Sequence, residues 1–140
     1  MFKPVGNLIS GAPAIAPPAD YDVFEVDETA MVVGQVAKFT AGKLKHVTDD
    51  DPLAAVILME AGADGEFVRC MWITPGMVYK TKCLEGTASS VTLGASYEID
   101  STYLGLNQGG DGPLSVVRID GTDLFVVFNA CLLSGGTTRT

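Results

Sequence analysis

The clearest alternation of apolar and polar positions lies between residues 65 and 80, where it predicts two β-strands joined by a turn at Pro75-Gly76. Successive side chains of a strand point to opposite faces of its sheet, and over residues 66–74 both faces are largely apolar. A strand of this kind is covered on both faces, so we expect it in the middle of a barrel or sandwich. In the return strand apolar residues alternate with Lys80 and Lys82, which is typical of a sheet with one solvated face. The segment therefore predicts a central β-hairpin.

Glycines divide much of the remaining chain into short strands. Units of a glycine, a strand, a second glycine and a return strand begin at Gly34, Gly65 and Gly94, with the two glycines eight or eleven positions apart. Such intervals are typical of short antiparallel strands. Residues 53–59 predict a further strand that is buried on both faces, and Asp120-Gly121 predicts a two-residue hairpin turn.

Residues 124–128 and 131–133 predict the last buried strand, and no window has the sustained period of about 3.6 residues that marks an amphipathic helix. We therefore expect no helix longer than about two or three turns. The predicted fold class is all-β, a small antiparallel β-barrel or sandwich with an extended N-terminal arm. Three parts are predicted: an extended proline-rich arm over residues 1–20, a β domain over residues 21–133 and a flexible C-terminal tail over residues 134–140.

The first 20 residues have no helical or strand period, and four prolines and two glycines interrupt them. A disordered terminus is the ordinary interpretation of such a proline-rich tail. The arm nevertheless carries apolar residues that do not keep a tail solvated. They are Phe2, Val5, Leu8, Ile9 and Ile15. We expect these side chains to bind a partner.

Composition narrows the classes of partner. Apolar residues make up 47% of the 140-residue chain and charged residues 19%, which suggests that some apolar surface is covered by another subunit or protein. A net charge of −8 repels phosphate backbones, so nucleic acid is not expected as a partner. The longest apolar run, residues 53–59, is too short to cross a membrane, and prolines and polar residues interrupt any secretory signal. We expect an intracellular origin.

Candidate chemistry is sparse. Any Ser-His or Cys-His scheme must use His46, the single histidine, and a histidine beside Lys45 in a strand is ordinarily a surface residue. Three cysteines without a C-x-x-C spacing favour free buried thiols over disulfides or metal ligands. The aspartates at residues 49–51 lack the order of a calcium loop and favour a solvated turn. No catalytic residue, metal or cofactor is predicted, and the protein is not expected to be an enzyme.

Four short segments together resemble the small head-decoration, or capsid cement, proteins of tailed bacteriophages. The segments are Gly34-Gln35-Val36, Asp51-Pro52-Leu53-Ala54-Ala55-Val56, Gly65-Glu66-Phe67-Val68 and Leu93-Gly94-Ala95-Ser96-Tyr97. The likeness covers about residues 30 to 100, and the chain departs from the family pattern at Ala55, where a glycine is common, and in its long arm.

The resemblance implies a compact β-barrel or sandwich on the outside of a capsid, commonly a trimer, that holds neighbouring capsomers together. The implied partners are the major capsid protein and further copies of this chain in a homotrimer. The implied location is the outer surface of the virion, after synthesis in the host cytoplasm. The alternative is a virion-associated receptor- or carbohydrate-binding β module, which needs exposed aromatic side chains. Tyr21 and Tyr103 are the candidates, since Trp72 lies in the strand that is predicted to be most buried. A small hydrolase is a third hypothesis.

Overall fold

A computed structural model describes residues 1–7 and 21–135, and this part of the chain is almost entirely β-structure. Its strands are β1 (Lys3–Asn7), β2 (Tyr21–Glu25), β3 (Ala30–Met31), β4 (Val36–Thr40), β5 (Lys43–His46), β6 (Val56–Leu58), β7 (Gly62–Ala63), β8 (Phe67–Trp72), β9 (Met77–Thr81), β10 (Cys83–Glu85), β11 (Ser96–Ile99), β12 (Leu106–Asn107), β13 (Leu114–Asp120) and β14 (Asp123–Phe128). The helices of the described residues are two single turns of 3-10 helix, Ala88–Ser90 and Leu132–Ser134. The predicted all-β fold class is confirmed.

Two curved sheets and a two-stranded ribbon make up the architecture. The five-stranded sheet has the order β2-β8-β6-β4-β5, and a parallel bridge between Val26 and Leu44 brings its two ends together. The seven-stranded sheet has the order β1-β9-β14-β13-β11-β12-β10. Strand β9 continues through Lys82 into β10 at the far end of that sheet, so this sheet also curls. The arrangement fits the predicted sandwich, and the described strands do not form a closed barrel.

The apolar side chains form two clusters. The larger lies between the sheets and takes residues from both, among them Ile57 and Met71 from the five-stranded sheet and Tyr79 and Phe128 from the seven-stranded sheet. The smaller lies inside the curve of the five-stranded sheet. Its fully buried members are Val26, Met31, Ala37, Leu44, Ala55, Val56, Leu58, Val68 and Cys70. Strand β6 therefore has apolar neighbours on both faces, as predicted, but it is shorter than the strand predicted over residues 53–59: residues 53–55 and 59 lie outside it, and Leu53 is 45% exposed.

The predicted central hairpin is wrong. Strand β8 lies between β2 and β6, whereas β9 lies between β1 and β14 in the other sheet. The turn at Pro75-Gly76 carries the chain from one sheet to the other, which lets Ile73 and Tyr79 pack in the same core from opposite sides. Strand β8 has a neighbouring strand on each side and is not an edge strand, as predicted, but Phe67 and Arg69 are exposed, so only its second half is covered on both faces.

Two hairpins that were predicted from their turn residues are present in the structure. Strands β4 and β5 form a hairpin whose loop residues, Ala41 and Gly42, both have positive φ. Strands β13 and β14 form the second predicted hairpin, with Gly121-Thr122 as its loop, one position later than expected. The predicted strand at residues 131–133 is wrong, because a turn of 3-10 helix ends there at Gly135 in the left-handed conformation.

The boundary predicted after residue 20 is wrong for residues 1–7. Strand β1 pairs with β9, and the side chain of Phe2 packs in the larger core with its ring centroid 5.7 Å from that of Phe128. The first residues therefore belong to the β domain, because they cover the edge of β9 and fill its core. The rest of the predicted arm, residues 8–20, and residues 136–140 of the predicted tail lie outside the described residues.

Candidate partner-binding surfaces

The structure separates the five residues predicted to bind a partner. Phe2 is only 2% exposed, so the prediction that it inserts into a partner is wrong for this residue. Val5 is half-buried in the edge strand β1. Leu8, Ile9 and Ile15 lie outside the described residues. The candidate surfaces of the described part are therefore built from other side chains.

The first surface is a depression of about 380 Å³ beside β1 and β9, which we call the basic groove. It is lined by Met1, Lys3, Lys80, Thr81, Lys82, Leu84 and Asp123. The strand register places Lys3 directly opposite Lys80, and Lys82 follows on the same stretch of chain. Met1 and Leu84 add exposed apolar side chains to the walls.

The lysines of the basic groove differ from the other cations of the described chain. Five described lysine and arginine side chains have a carboxylate at 2.8 to 3.6 Å. They are Lys38, Lys43, Lys45, Arg69 and Arg118. Within the described residues, Lys3, Lys80 and Lys82 form no such ion pair. The groove therefore concentrates uncompensated positive charge on a protein whose net charge is −8.

The positive surface extends sideways across the sheet. Lys80 is the register partner of Phe125, and Phe125 is the register partner of Arg118. The guanidinium carbon of Arg118 lies 4.9 Å from the centroid of the Phe125 ring, a distance at which a cation is attracted to an aromatic face. Lys3, Lys80, Phe125 and Arg118 thus form one outward-facing row over four neighbouring strands.

The second surface is an apolar patch on the five-stranded sheet, which we call the β2–β8 patch. Val23 is 52% exposed and Phe67 is 64% exposed. Val23 lies opposite Arg69 in the register, so Phe67 is its diagonal neighbour on the same face. Large apolar side chains exposed side by side are typical of surfaces that contact another protein.

The third surface contains three exposed leucines. The backbone N–H of Leu132 donates a hydrogen bond of 2.9 Å to the carbonyl oxygen of Ala54. This bond holds the 3-10 turn with Leu132 and Leu133 beside the exposed Leu53. We call this group the leucine patch.

His46, Tyr103 and Trp72 are held in packing contacts. The imidazole of His46 stacks on Tyr103 with 4.2 Å between the ring centroids, and its buried Nδ1 has no hydrogen-bond partner within the described residues. Trp72 packs edge-on against Phe24 and donates a hydrogen bond of 2.8 Å to Asp22. These rings therefore rest on neighbouring side chains of the same chain.

The aspartate turn at residues 49–51 is held by hydrogen bonds and an ion pair of Asp51, which is buried. The prediction of a solvated turn is therefore wrong for Asp51. Its carboxylate lies 2.9 Å from Nζ of Lys38 and accepts hydrogen bonds from the backbone N–H groups of Thr48 and Leu53. Burial raises the pKa of Asp51, but the hydrogen bonds and the charge of Lys38 outweigh burial, so the pKa lies below its ordinary value.

We expect Asp51→Asn to lower the free energy of unfolding by about 1 to 2 kcal/mol at neutral pH, because it breaks a half-buried ion pair and a turn. A carboxylate with a lowered folded pKa stabilises the fold above its unfolded pKa, and this contribution is lost as pH falls through the folded pKa. The difference between the two proteins should therefore shrink below about pH 4. Urea unfolding at several pH values measures this, with Asp50→Asn at an exposed neighbouring position as the matched control.

A carboxylate pair that the sequence pattern did not predict lies near this turn. The backbone N–H of Ile99 donates a hydrogen bond of 2.8 Å to the carbonyl oxygen of Asp49, which brings the side chains of Asp49 and Glu98 together. Burial and then the negative charge of Asp49 raise the pKa of Glu98. No group of three or more histidine, cysteine or acidic side chains in the described residues could hold a metal ion.

Known protein families and curated sequences provide no relative of this chain. None of the models of known protein families matches this chain, and no curated protein sequence matches it. Within residues 1–7 and 21–135, no helix has the length and apolar character needed to cross a membrane.

Proposed function

We propose that this protein is a non-enzymatic capsid decoration, or cement, protein that binds the outer surface of a tailed-phage head. The observation that carries the proposal is that two separate candidate surfaces, one on each sheet, are exposed. The basic groove lies on the seven-stranded sheet and the β2–β8 patch on the five-stranded sheet. A protein that holds two neighbouring capsomers needs two contact surfaces, and a small domain whose exposed apolar side chains are spread over both sheets supplies them.

The proposal includes self-association. The family resemblance implies a homotrimer, and an exposed leucine patch is the kind of apolar surface that a subunit interface covers. The major capsid protein is the proposed second partner, and the proposed location is the outside of the virion. Sedimentation equilibrium of the isolated protein and of the shell-bound protein gives the mass of the assembly, and a monomer in both states contradicts the trimer.

The experiment mixes the purified protein with empty shells assembled from the major capsid protein of the phage that encodes this chain. We expect the protein to sediment with the shells, to saturate at a fixed number of copies per capsomer and to raise the temperature at which the shells dissociate. The double variant Val23→Ala and Phe67→Ala removes the β2–β8 patch and should weaken binding by about tenfold or more, because buried apolar side chains dominate protein interfaces.

The control is Leu93→Ala, which removes an equally exposed apolar side chain outside the three surfaces and should not change binding. Failure of the protein to sediment with shells at saturating concentration would contradict the proposal. Binding to immobilised glycans without binding to shells would support a carbohydrate-binding module instead.

A further inference from the structure

We propose that the basic groove binds a carboxylate-rich, partly apolar segment of a partner protein. The proposal concerns the chemistry of the bound segment and does not depend on the partner being a capsid. It rests on three properties of the groove: its uncompensated lysines, the position of Lys3 opposite Lys80 on its two strands, and its apolar walls.

The first property is the charge. The chain has 17 acidic residues against nine basic ones, so carboxylates are abundant, yet none forms an ion pair with Lys3, Lys80 or Lys82 in the described part. Asp123 is the carboxylate at the groove wall. One carboxylate against three lysines leaves the groove with an excess of positive charge. Charge of one sign in a depression attracts a partner of the opposite sign and determines its register.

The second property is the placement of two like charges opposite each other. Lys3 and Lys80 are direct register partners on β1 and β9, and like charges directly opposite on neighbouring strands destabilise a sheet. Neither lysine has a carboxylate partner in the described part that would offset this repulsion, and Lys3 is exposed while Lys80 is half-buried. Local features that oppose stability are expected where a surface serves binding.

The third property is the apolar wall, which favours a peptide over a nucleic acid. Met1 and Leu84 are both exposed in the groove and offer contacts to an apolar side chain of the bound segment. A nucleic acid would instead place many phosphates along a protein whose net charge of −8 repels them. A volume of about 380 Å³ is within the range of ligand pockets and accommodates a short run of side chains.

The test uses fluorescence anisotropy with a short fluorescein-labelled peptide of alternating glutamate and leucine. We expect the full chain to bind this peptide at low salt, to bind more weakly as salt rises, and to bind the same peptide with glutamine in place of glutamate much less. Substituting Lys3→Gln, Lys80→Gln and Lys82→Gln together should weaken binding of the glutamate peptide by about tenfold or more.

The matched control removes the same number of positive charges elsewhere, through Lys43→Gln, Lys45→Gln and Arg69→Gln, and should change binding only slightly. A second readout tests whether the groove lysines serve the fold: Lys80→Gln should raise the melting temperature by about 1 to 3 °C, because it removes the repulsion from Lys3. A lowered melting temperature would assign the lysine a structural role and would count against the proposal, because it removes the like-charge argument.

Three results would overturn the proposal. The first is equal binding of the glutamate and glutamine peptides by the unmodified protein. The second is an equal loss of binding in the groove variant and the control variant. The third is tighter binding of a single-stranded oligothymidylate than of the glutamate peptide, which would assign the groove to nucleic acid. Shell binding is measured separately, so the two failures can be told apart. A protein that sediments with shells but does not prefer the glutamate peptide overturns the groove proposal alone, and a protein that prefers the glutamate peptide but does not sediment with shells overturns the decoration function alone.

Discussion

Replacing Phe2 by alanine should lower the free energy of unfolding of the isolated protein by about 3 to 5 kcal/mol. The side chain is 2% exposed and packs in the larger core, where its ring lies beside that of Phe128. Phe128 in turn makes an edge contact with Tyr79, whose burial raises its pKa to about 12. Alanine at residue 2 would leave a cavity in the centre of an aromatic cluster, and the surrounding strands cannot close it without losing their pairing.

The matched control is Phe67→Ala, which makes the same chemical change at a side chain that is 64% exposed. It should change the free energy of unfolding by about 0.5 kcal/mol or less. Urea unfolding followed by the fluorescence of the single tryptophan, Trp72, measures both variants. Equal stabilities of Phe2→Ala and the unmodified protein would restore the hypothesis that Phe2 belongs to an arm that binds a partner.

The misplaced arm boundary has a physical explanation. Pro4 and Gly6 argue against a strand in the interior of a sheet, and that rule led to the prediction of an arm outside the domain. Strand β1 is an edge strand with an irregular register between Pro4 and Gly6, and an edge strand accepts a proline because only one side of it must pair. A sequence pattern does not show whether a proline-containing segment lies at an edge.

The sequence predicts correctly those features that depend only on neighbouring residues. The turn at Ala41-Gly42 follows from a glycine between two alternating segments, and the buried strand β6 follows from an uninterrupted apolar run. The pairing of β8 is not local, because alternation indicates which side chains face a core but not which strand supplies the next hydrogen bonds. The turn at Pro75-Gly76 is compatible with a hairpin and with a passage between sheets.

The basic groove could not be predicted for the same reason. Lys3 is separated from Lys80 and Lys82 by more than half the length of the chain, and only the register of β1 on β9 places them together. The sequence-based prediction named the apolar residues of the proline-rich arm as partner-binding. In the structure, the arm residue that contributes charge to the basic groove is Lys3. A lysine in an apolar terminal segment is the one signal that could have suggested it.

Asp100 organises the loop between β11 and β12 of the seven-stranded sheet. It is 1% exposed, and its carboxylate accepts hydrogen bonds from the backbone N–H groups of Thr102, Leu104 and Gly105, at 2.9, 3.0 and 2.7 Å. The hydroxyl of Thr102 donates a further bond to it. A carboxylate with this many donors fixes the loop in one conformation.

This loop carries two contacts to the five-stranded sheet. Tyr103 has a φ of 64°, a conformation that is rare for a residue with a side chain, and its carbonyl oxygen accepts a hydrogen bond of 3.0 Å from the N–H of Val36 in β4. The carbonyl oxygen of Thr102 accepts a second bond from the side chain of Gln35. The hydrogen bonds of Asp100 therefore maintain an unfavourable backbone conformation that connects the sheets.

Replacing Asp100 by alanine should lower the free energy of unfolding by about 2 to 4 kcal/mol, since it leaves several backbone donors without an acceptor and releases Tyr103 from its conformation. Asp100→Asn should cost less, because its side-chain oxygen can still accept from Leu104 and Gly105. The control is Asp111→Ala, at an exposed loop position, with almost no expected effect. Urea unfolding gives the free energies, and hydrogen exchange at the amide of Val36 reports whether the contact between the sheets has loosened. A stable Asp100→Ala protein with slow exchange at Val36 would show that the loop keeps its conformation without the carboxylate.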